Sequence, residues 1–376
     1  MKKNSALYVH IPFCDHKCIY CDFYSIITKD NFNAFLDSLK KEILFYSAKY
    51  SAGRKFSSIF FGGGTPSLMS AEYIGEIINS LKENFDVNDD AEITLETNPG
   101  TVDKNKFKDF YKEGINRISI GIQSFDEQEL KFLTRIHSKE KAITTVHQAA
   151  EAGFENISID LIFNLPGQTK EKWINNLNQA LVQPVKHISA YSLILERGTI
   201  LKKMVLDGKV KMQDEDYDAD LYEITIDTLT ESGFHQYEVS NFSKPGFECV
   251  HNNAYWQYRD YISFGTAAHS FVKGERWWNY SSLKKYIAEI ALNGHAKAGG
   301  EILSANDSLN EYVMLALRSS GLDTQEFRSL FGESWLKSKM NYFKELEKYS
   351  FVTIVNENIS LTKKGYLICD EIIKKF

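Results

Sequence analysis

Six short runs rich in Ile, Phe, Tyr and Val recur through the first half of the chain, at residues 6–12, 57–63, 91–97, 116–122, 156–163 and 186–193. Runs of that length and composition read as strands. Longer amphipathic stretches separate them, such as "NFNAFLDSLKKEILFYSAK" and "SAEYIGEIINSLKENF". Their apolar residues fall three and four apart, and Ser70 opens the second as an N-cap, so they read as helices. Six strand-then-helix units in succession leave few options. Each strand runs parallel to its predecessor, with the connecting helix packed outside the sheet. Six units are too few for a closed eight-stranded barrel and suit an open one. The predicted fold is α/β, a partial (β/α)6 barrel. Several predicted strands run straight into polar or Gly-rich residues: "GGGTP", "ETNP", "GIQSF" and "NLPGQT". Loops at the C-terminal strand ends of such a barrel share one mouth, and the site is built there.

From about residue 194 the pattern loosens. A helix is expected over 214–232, followed by an aromatic, Gly-containing stretch of weak periodicity. From about 304 two or three helices are expected. Then "FVTIVNENISLT" reads as a hairpin with "NEN" at its turn, before a last helix. Helices plus a hairpin resemble a winged helix. The expected division is 1–230 for the barrel core, 231–303 for the aromatic-rich extension and 304–376 for the helical tail. From 305 to 376 ten Lys/Arg stand against ten Asp/Glu, and the whole chain carries a net charge of −6. Neither gives the basic field of a nucleic-acid binder. No apolar run approaches the ~18–20 residues of a membrane span. The opening "MKKNSALYVHIPF" is basic, but its apolar part is short, holds His10 and Pro12, and has no small-residue cleavage site. No signal peptide is expected. Five cysteines, an odd number and mostly clustered, do not make a secreted disulfide framework, so a cytoplasmic location is expected.

Three of the five cysteines, Cys14, Cys18 and Cys21, lie within "HIPFCDHKCIYCDF", just after the first predicted strand, spaced C-x3-C-x2-C. Three purposes compete. A structural zinc site wants four ligands, and His16 could be offered as the fourth, although it sits tightly between two of the others. A redox pair at Cys18 and Cys21 leaves Cys14 unexplained. An iron–sulfur cube ligated by three thiolates uses all three, and leaves one iron open for an exogenous ligand. The glycines of "FGGGTP" at 61–66 would let backbone approach a ligand closely. Glu96 and Asp160 are strand-end carboxylates, acceptors suited to ribose hydroxyls or an ammonium.

C-x3-C-x2-C is the signature of the radical S-adenosylmethionine (SAM) enzymes, and the chain resembles them. The resemblance implies a [4Fe–4S] cluster whose open iron binds SAM and cleaves it to a 5′-deoxyadenosyl radical. "YVHIPFC", "FGGGTP", "RISIGIQSF", "DLIFNLPGQT" and "HISAYSLILERGT", in this order, are similar to the oxygen-independent coproporphyrinogen III oxidase family over essentially the whole chain. That match implies SAM contacts at Tyr8, Gly64, Thr65, Pro66, Glu96, Gln123, Arg135 and Asp160, and through the backbone of Tyr20. Two departures matter. Decarboxylating oxidases of the family carry another cysteine just after the third, where this chain has Asp22 and Phe23. And "YEVSNFSKPGFECVHNNAYW" resembles the haem-chaperone members, whose H-N-x-x-Y-W histidine is implicated in haem binding, which carries over to His251. Cys249 is the alternative iron ligand, and Asn252 a candidate to orient the ring. The resemblance therefore implies a chaperone that binds haem and passes it to a membrane-associated apoprotein, with an electron donor needed if SAM is cleaved. The rival is a coproporphyrinogen oxidase that converts propionates to vinyl groups.

Overall fold

The computed structural model describes residues 4–28 and 30–376. Met1 to Lys3, the basic start of the stretch expected not to be a signal peptide, lie outside the described residues. Six strands follow the alternation: β1 (Ser5–Ile11), β2 (Phe56–Gly63), β3 (Val87–Thr97), β4 (Arg117–Gln123), β5 (Asn156–Phe163) and β6 (His187–Ser192). Helices α1 (Phe32–Tyr50), α2 (Ala71–Asn84) and α3 (Lys104–Lys112) join the first four strands. Two helices, α4 (Glu127–Phe132) and α5 (Lys139–Glu151), join β4 to β5, and α6 (Lys170–Leu181) joins β5 to β6. Ser70 caps α2 by accepting from the Tyr73 N–H. All neighbouring strands here pair in parallel, with Tyr8 opposite Phe60, Phe60 opposite Thr94, and Ser119 opposite Ser158.

Alternation along each strand gives two unlike faces. Leu7, Val9, Ile59, Phe61, Ile93, Leu95, Ile118, Ile120, Ile157 and Ile159 are buried in one core with the helices. Burying each such side chain contributes roughly 1.5–3 kcal/mol. The intervening residues are of another kind: Tyr8 and His10 on β1, Ser58 on β2, Glu92, Thr94 and Glu96 on β3, Arg117 and Ser119 on β4, Ser158 and Asp160 on β5. The barrel is apolar where helices cover it and polar within.

After β6, α7 (Ile200–Leu206) and α8 (Glu215–Glu231) lead into the aromatic stretch, which supplies six further strands. These are β7 (His235–Gln236), β8 (Asn241–Ser243), β9 (Tyr261–Gly265), β10 (His269–Val272), β11 (Glu275–Asn279) and β12 (Lys297–Ile302). Helices α9 (Val250–Trp256) and α10 (Leu283–Asn293) lie among them. The described sheet has twelve strands in the order β12-β11-β10-β9-β1-β2-β3-β4-β5-β6-β8-β7. Strand β9 adds a parallel neighbour to β1, on the side away from β2. On the far side β8 runs antiparallel to β6. These strands are two to six residues long, too short to print a period on the sequence.

The tail has its own core, running from Tyr312 to Ile372. Helices Ala305–Leu317, Thr324–Phe331 and Ser334–Lys348 precede a hairpin of Val352–Val355 and Asn358–Leu361, with Leu322–Asp323 as a third strand. The hairpin turn is Asn356-Glu357, both at positive φ (49° and 64°), the geometry that two-residue hairpin loops prefer. Lys363 ties the tail to α8 through Glu223 and Asp227, at 2.8 Å each.

Candidate functional site

The loop after β1 doubles back on itself. Cys14 N–H donates to Ile26 O (2.9 Å) and Ile26 N–H to Pro12 O (2.7 Å), so the segment carrying the cysteines is pinched at its neck. The glycine turn after β2 bonds to the same neck. Gly64 N–H donates to Ile11 O (2.8 Å) and Thr65 N–H to Phe13 O (2.7 Å). A Cβ on Gly64 would fall 2.6 Å from Phe13 O, so the approach requires glycine there. Cys14, Cys18 and Cys21 are free thiols that line one cavity of about 490 Å³ at the C-terminal strand ends. Among the described residues, no three His, Cys, Asp or Glu side chains close around a single ion. Thiols set around a space fit a cube better than one tetrahedral zinc. Burial pushes the Cys14 and Cys21 thiols up, and bound iron supplies the positive charge that thiolates need. The residues present fit a three-thiolate cluster.

The rest of the lining is polar and connected. Arg135 donates to Asn98 Oδ1 (2.6 Å) and Gly121 O (2.5 Å), and its other terminal nitrogen lies 3.6 Å from Cys18 Sγ. Asn98 in turn donates to Thr65 Oγ1 (2.8 Å), which lies 3.4 Å from Cys14 Sγ. A relay therefore runs from one cysteine to another through Arg135, Asn98 and Thr65. Gln123 reaches the cavity from a shift in the β4–β5 register and sits at φ 71°, a left-handed conformation costly for a residue with a Cβ. Irregularities of this kind re-aim a side chain at a site. Glu96 accepts from Gly63 N–H (3.2 Å), and Asp160 accepts from Ser119 Oγ (3.1 Å). Burial, and next the charge of Asp160, push the Glu96 carboxyl up to about 8. Two acidic side chains lining one cavity, with the charge of Asp160 helping to raise Glu96, suit a cationic ligand, and SAM carries a sulfonium and an ammonium. The residues present fit that ligand too.

The cavity brings together the cysteines, Tyr20, Gly64, Thr65, Glu96, Gln123, Arg135 and Asp160. Tyr8 and Pro66 stand outside its lining. Tyr8 lies deeper on β1 and gives its hydroxyl to His10, and Pro66 turns away into a short buried helix. Sequence reading passed over Asn98 and Tyr191, both in the lining. Asn98 was within reach of it. In "ETNP" it stands two residues after Glu96, on the same face of the strand end.

His251 is not at the mouth. Helix α9 packs against β2 and β1, and His251 is 1% exposed beside Ser58, near the N-terminal end of β2. Its Nδ1 lies 2.9 Å from Ser58 Oγ and its Nε2 2.8 Å from Tyr255 Oη. Its ring stacks on Phe60 with centroids 4.9 Å apart. Burial, and next the charge of Arg117, lower its pKa to about 3, so it is neutral. With both nitrogens engaged and no open side, the ring in this position does not fit an iron ligand. Asn252 does not orient it; Ser58 and Tyr255 do. Cys249 fits no better. It is fully buried against Glu92, and burial pushes its thiol up to about 12. Glu92 also accepts from the Val250 and His251 N–H groups (3.2 and 3.1 Å), holding the start of α9.

A partial β/α barrel with three thiols and a glycine turn at its mouth defines a radical SAM protein, and residues 8–180 match the Radical SAM superfamily model. The coproporphyrinogen III oxidase HemN of Escherichia coli, a radical SAM enzyme, superposes with a TM-score of 0.83 at 26% identity, over 99% of this chain and 90% of that one. Haem chaperone HemW of Lactococcus lactis is 34% identical over 378 residues, 100% of this chain and 98% of that protein. HemW of Bacillus subtilis is 33% identical over 374 residues, 99% and 98% of the two chains. The chain belongs to the HemW family.

Proposed function

We propose that the protein is a haem chaperone that carries a [4Fe–4S] cluster and SAM, binds haem and transfers it to an apoprotein. The observation that carries the cofactor reading is the mouth itself: three free thiols, a glycine turn and the acidic side chains of Glu96 and Asp160 line a single cavity. Cys14, Cys18 and Cys21 would hold the cluster. Gly64 and Thr65 would receive SAM by backbone approach, Glu96 and Asp160 would meet its positive and hydroxyl groups, and Gln123, Arg135 and Tyr20 would complete the wall. When bound, the pair supplies one-electron cleavage of a sulfonium, for which a reductant is required. This chain's own part is to position the ligand and to tie the cysteine loop to the wall through Arg135, Asn98 and Thr65.

The haem reading is supported by chain-long similarity to proteins named haem chaperones. It is also supported by Asp22 and Phe23 on the cavity wall, at the position where the family resemblance implies another cysteine in a decarboxylating oxidase. Phe23 and Ile194 are 63% and 67% exposed at that rim, an apolar lip beside the acidic and cationic side chains of the cavity, which suits a flat apolar ligand with charged edges. Among the described residues no helix is long and apolar enough to cross a membrane. The few, clustered and unpaired cysteines support a cytoplasmic location for the chaperone. The test is anaerobic reconstitution with iron and sulfide, followed by haemin or coproporphyrinogen III with SAM. Stoichiometric haemin retention, transfer to an apo-haemoprotein and no vinyl product are expected. Turnover of coproporphyrinogen III to a divinyl product would replace the chaperone reading with an oxidase.

A further inference from the structure

We propose that His251 is a positioning residue, the lower end of a buried column that sets the cysteine loop, rather than a ligand to haem iron. The column can be followed contact by contact. The His251 ring stacks on Phe60 and lies 6.1 Å from the Tyr8 ring, which itself stacks on Phe60. Tyr8 Oη lies 3.3 Å from His10 Nδ1, and His10 Nε2 lies 2.9 Å from Tyr24 O. A carbonyl oxygen only accepts, so Nε2 carries the proton of His10 and Nδ1 accepts from Tyr8. Tyr24 is three residues past Cys21, inside the pinched loop. The His10 ring also lies against Gly63, where a Cβ would fall 2.5 Å from it, so the same ring holds the glycine turn. From Ser58 to Gly63 the strand rises about 15–20 Å. His251 is therefore too deep to touch a ligand at the mouth, yet it is linked to the mouth through two aromatic rings, Phe60 and Tyr8, and the His10 imidazole.

A second histidine supports this assignment. His187, outside the H-N-x-x-Y-W stretch, is held in the same way: Nδ1 is 2.8 Å from Ser158 Oγ and Nε2 is 2.8 Å from Tyr237 Oη. The floor thus has two Ser–His–Tyr bridges, one on each side of buried Arg117. An iron needs one free ring nitrogen, and in both histidines each nitrogen is hydrogen-bonding the barrel together.

The test uses the full chain, reconstituted with its cluster, as wild type, His251→Ala, His251→Gln and Tyr8→Phe. A glutamine amide can meet Tyr255 from near the Nε2 position but offers haem iron no imidazole. The readouts are the electron paramagnetic resonance spectrum of the reduced cluster with and without SAM, SAM affinity, and haemin retention. Expected are a shifted cluster spectrum and about tenfold weaker SAM binding in His251→Ala, the scale of losing a second-layer support. His251→Gln should recover both, and haemin retention, to within about twofold of wild type. Loss of haemin in both His251 variants, with cluster spectrum and SAM affinity as in wild type, would overturn the proposal in favour of direct ligation. Should His251→Ala not fold, Tyr8→Phe carries the test: an unchanged cluster spectrum there means the column does not set the loop. The proposal uses the haem reading for one readout alone. If the wild type retains no haemin, that reading falls, and the cluster and SAM readouts still decide this one.

Discussion

The two ends of the barrel are built from the same strands and the same residue types, and they do opposite things. At the floor, every buried polar side chain of the histidine bridges is answered by another: Ser58 and Tyr255 for His251, Ser158 and Tyr237 for His187, Glu92 for the start of α9. At the mouth, burial and the charge of Asp160 raise the Glu96 carboxyl, three thiols face open space, and Gln123 holds a costly backbone conformation. Buried polar groups are expensive unless paired. Paired with one another, they lock a structure; turned toward a cavity by a rigid frame, they define what ligand must come. The comparison says that the histidine of H-N-x-x-Y-W belongs to the locking end.

Four substitutions probe that division, beginning with the largest effect. Cys18→Ala should abolish the cluster while leaving the fold intact, because nothing at the floor depends on it. Iron and sulfide analysis after reconstitution checks this, and a full complement in the variant would remove the mouth from the comparison. Glu92→Ala strips α9 of its acceptor and leaves Arg117 without its buried partner, 3.8 Å away. A cost of about 3–5 kcal/mol is expected in chemical denaturation. A loss below about 1 kcal/mol would mean the floor is not the locked end.

The third concerns protons. Without a cation beside it, Glu96 is protonated below about pH 8, its pKa raised by burial and by Asp160. A cationic ligand lowers that pKa, so SAM binding should release a proton and tighten as pH rises toward 8, by at most about tenfold per pH unit. Glu96→Gln should flatten this dependence and weaken binding about 10–100-fold, the range of a charge-assisted hydrogen bond. Titration calorimetry in buffers of different ionisation enthalpy reads both quantities. The smallest effect belongs to Asn98→Ala, which cuts the relay between Arg135 and Thr65. SAM affinity should fall about two- to tenfold, with cluster content unchanged. Loss of the cluster in that variant would show that Asn98 supports the thiols rather than the ligand.

Much of the barrel was legible because its two periods are strong. The alternation of β2, β3 and β5 and the three- and four-residue spacing of α2 are carried by residues that must be apolar to meet each other. The hairpin in the tail was legible from "NEN", since Asn favours the positive φ that Asn356 adopts at the turn. Strands β7 to β12 were not, because two to six residues in a Trp- and Tyr-rich run give no period to read. At the site, cysteine spacing and strand-end position pointed to the mouth. Asn98 stood in plain view two residues after Glu96, but its relay with residues 65 and 135 exists only once the strands are side by side. His251 was the reverse case: a motif located the residue, but sequence carries no record of its Ser58 partner, 193 positions away.

The parallel pairing of β1 with β9 has a consequence for how the molecule is made. β1 begins the chain, and its second neighbour, Tyr261–Gly265, arrives some 250 residues later. Until then the strand that leads into the cysteine loop has one bare edge, the kind that invites wrong partners. Pairings so distant in sequence are also slow to form. Helix α9 comes off the ribosome immediately before β9, so the element that seals the base of the barrel and the strand that covers the exposed edge are delivered together. Assembly of the cysteine-bearing end therefore awaits a late event at the other end, and a nascent chain cut short before Gly265 would present its cysteines on an unfinished sheet.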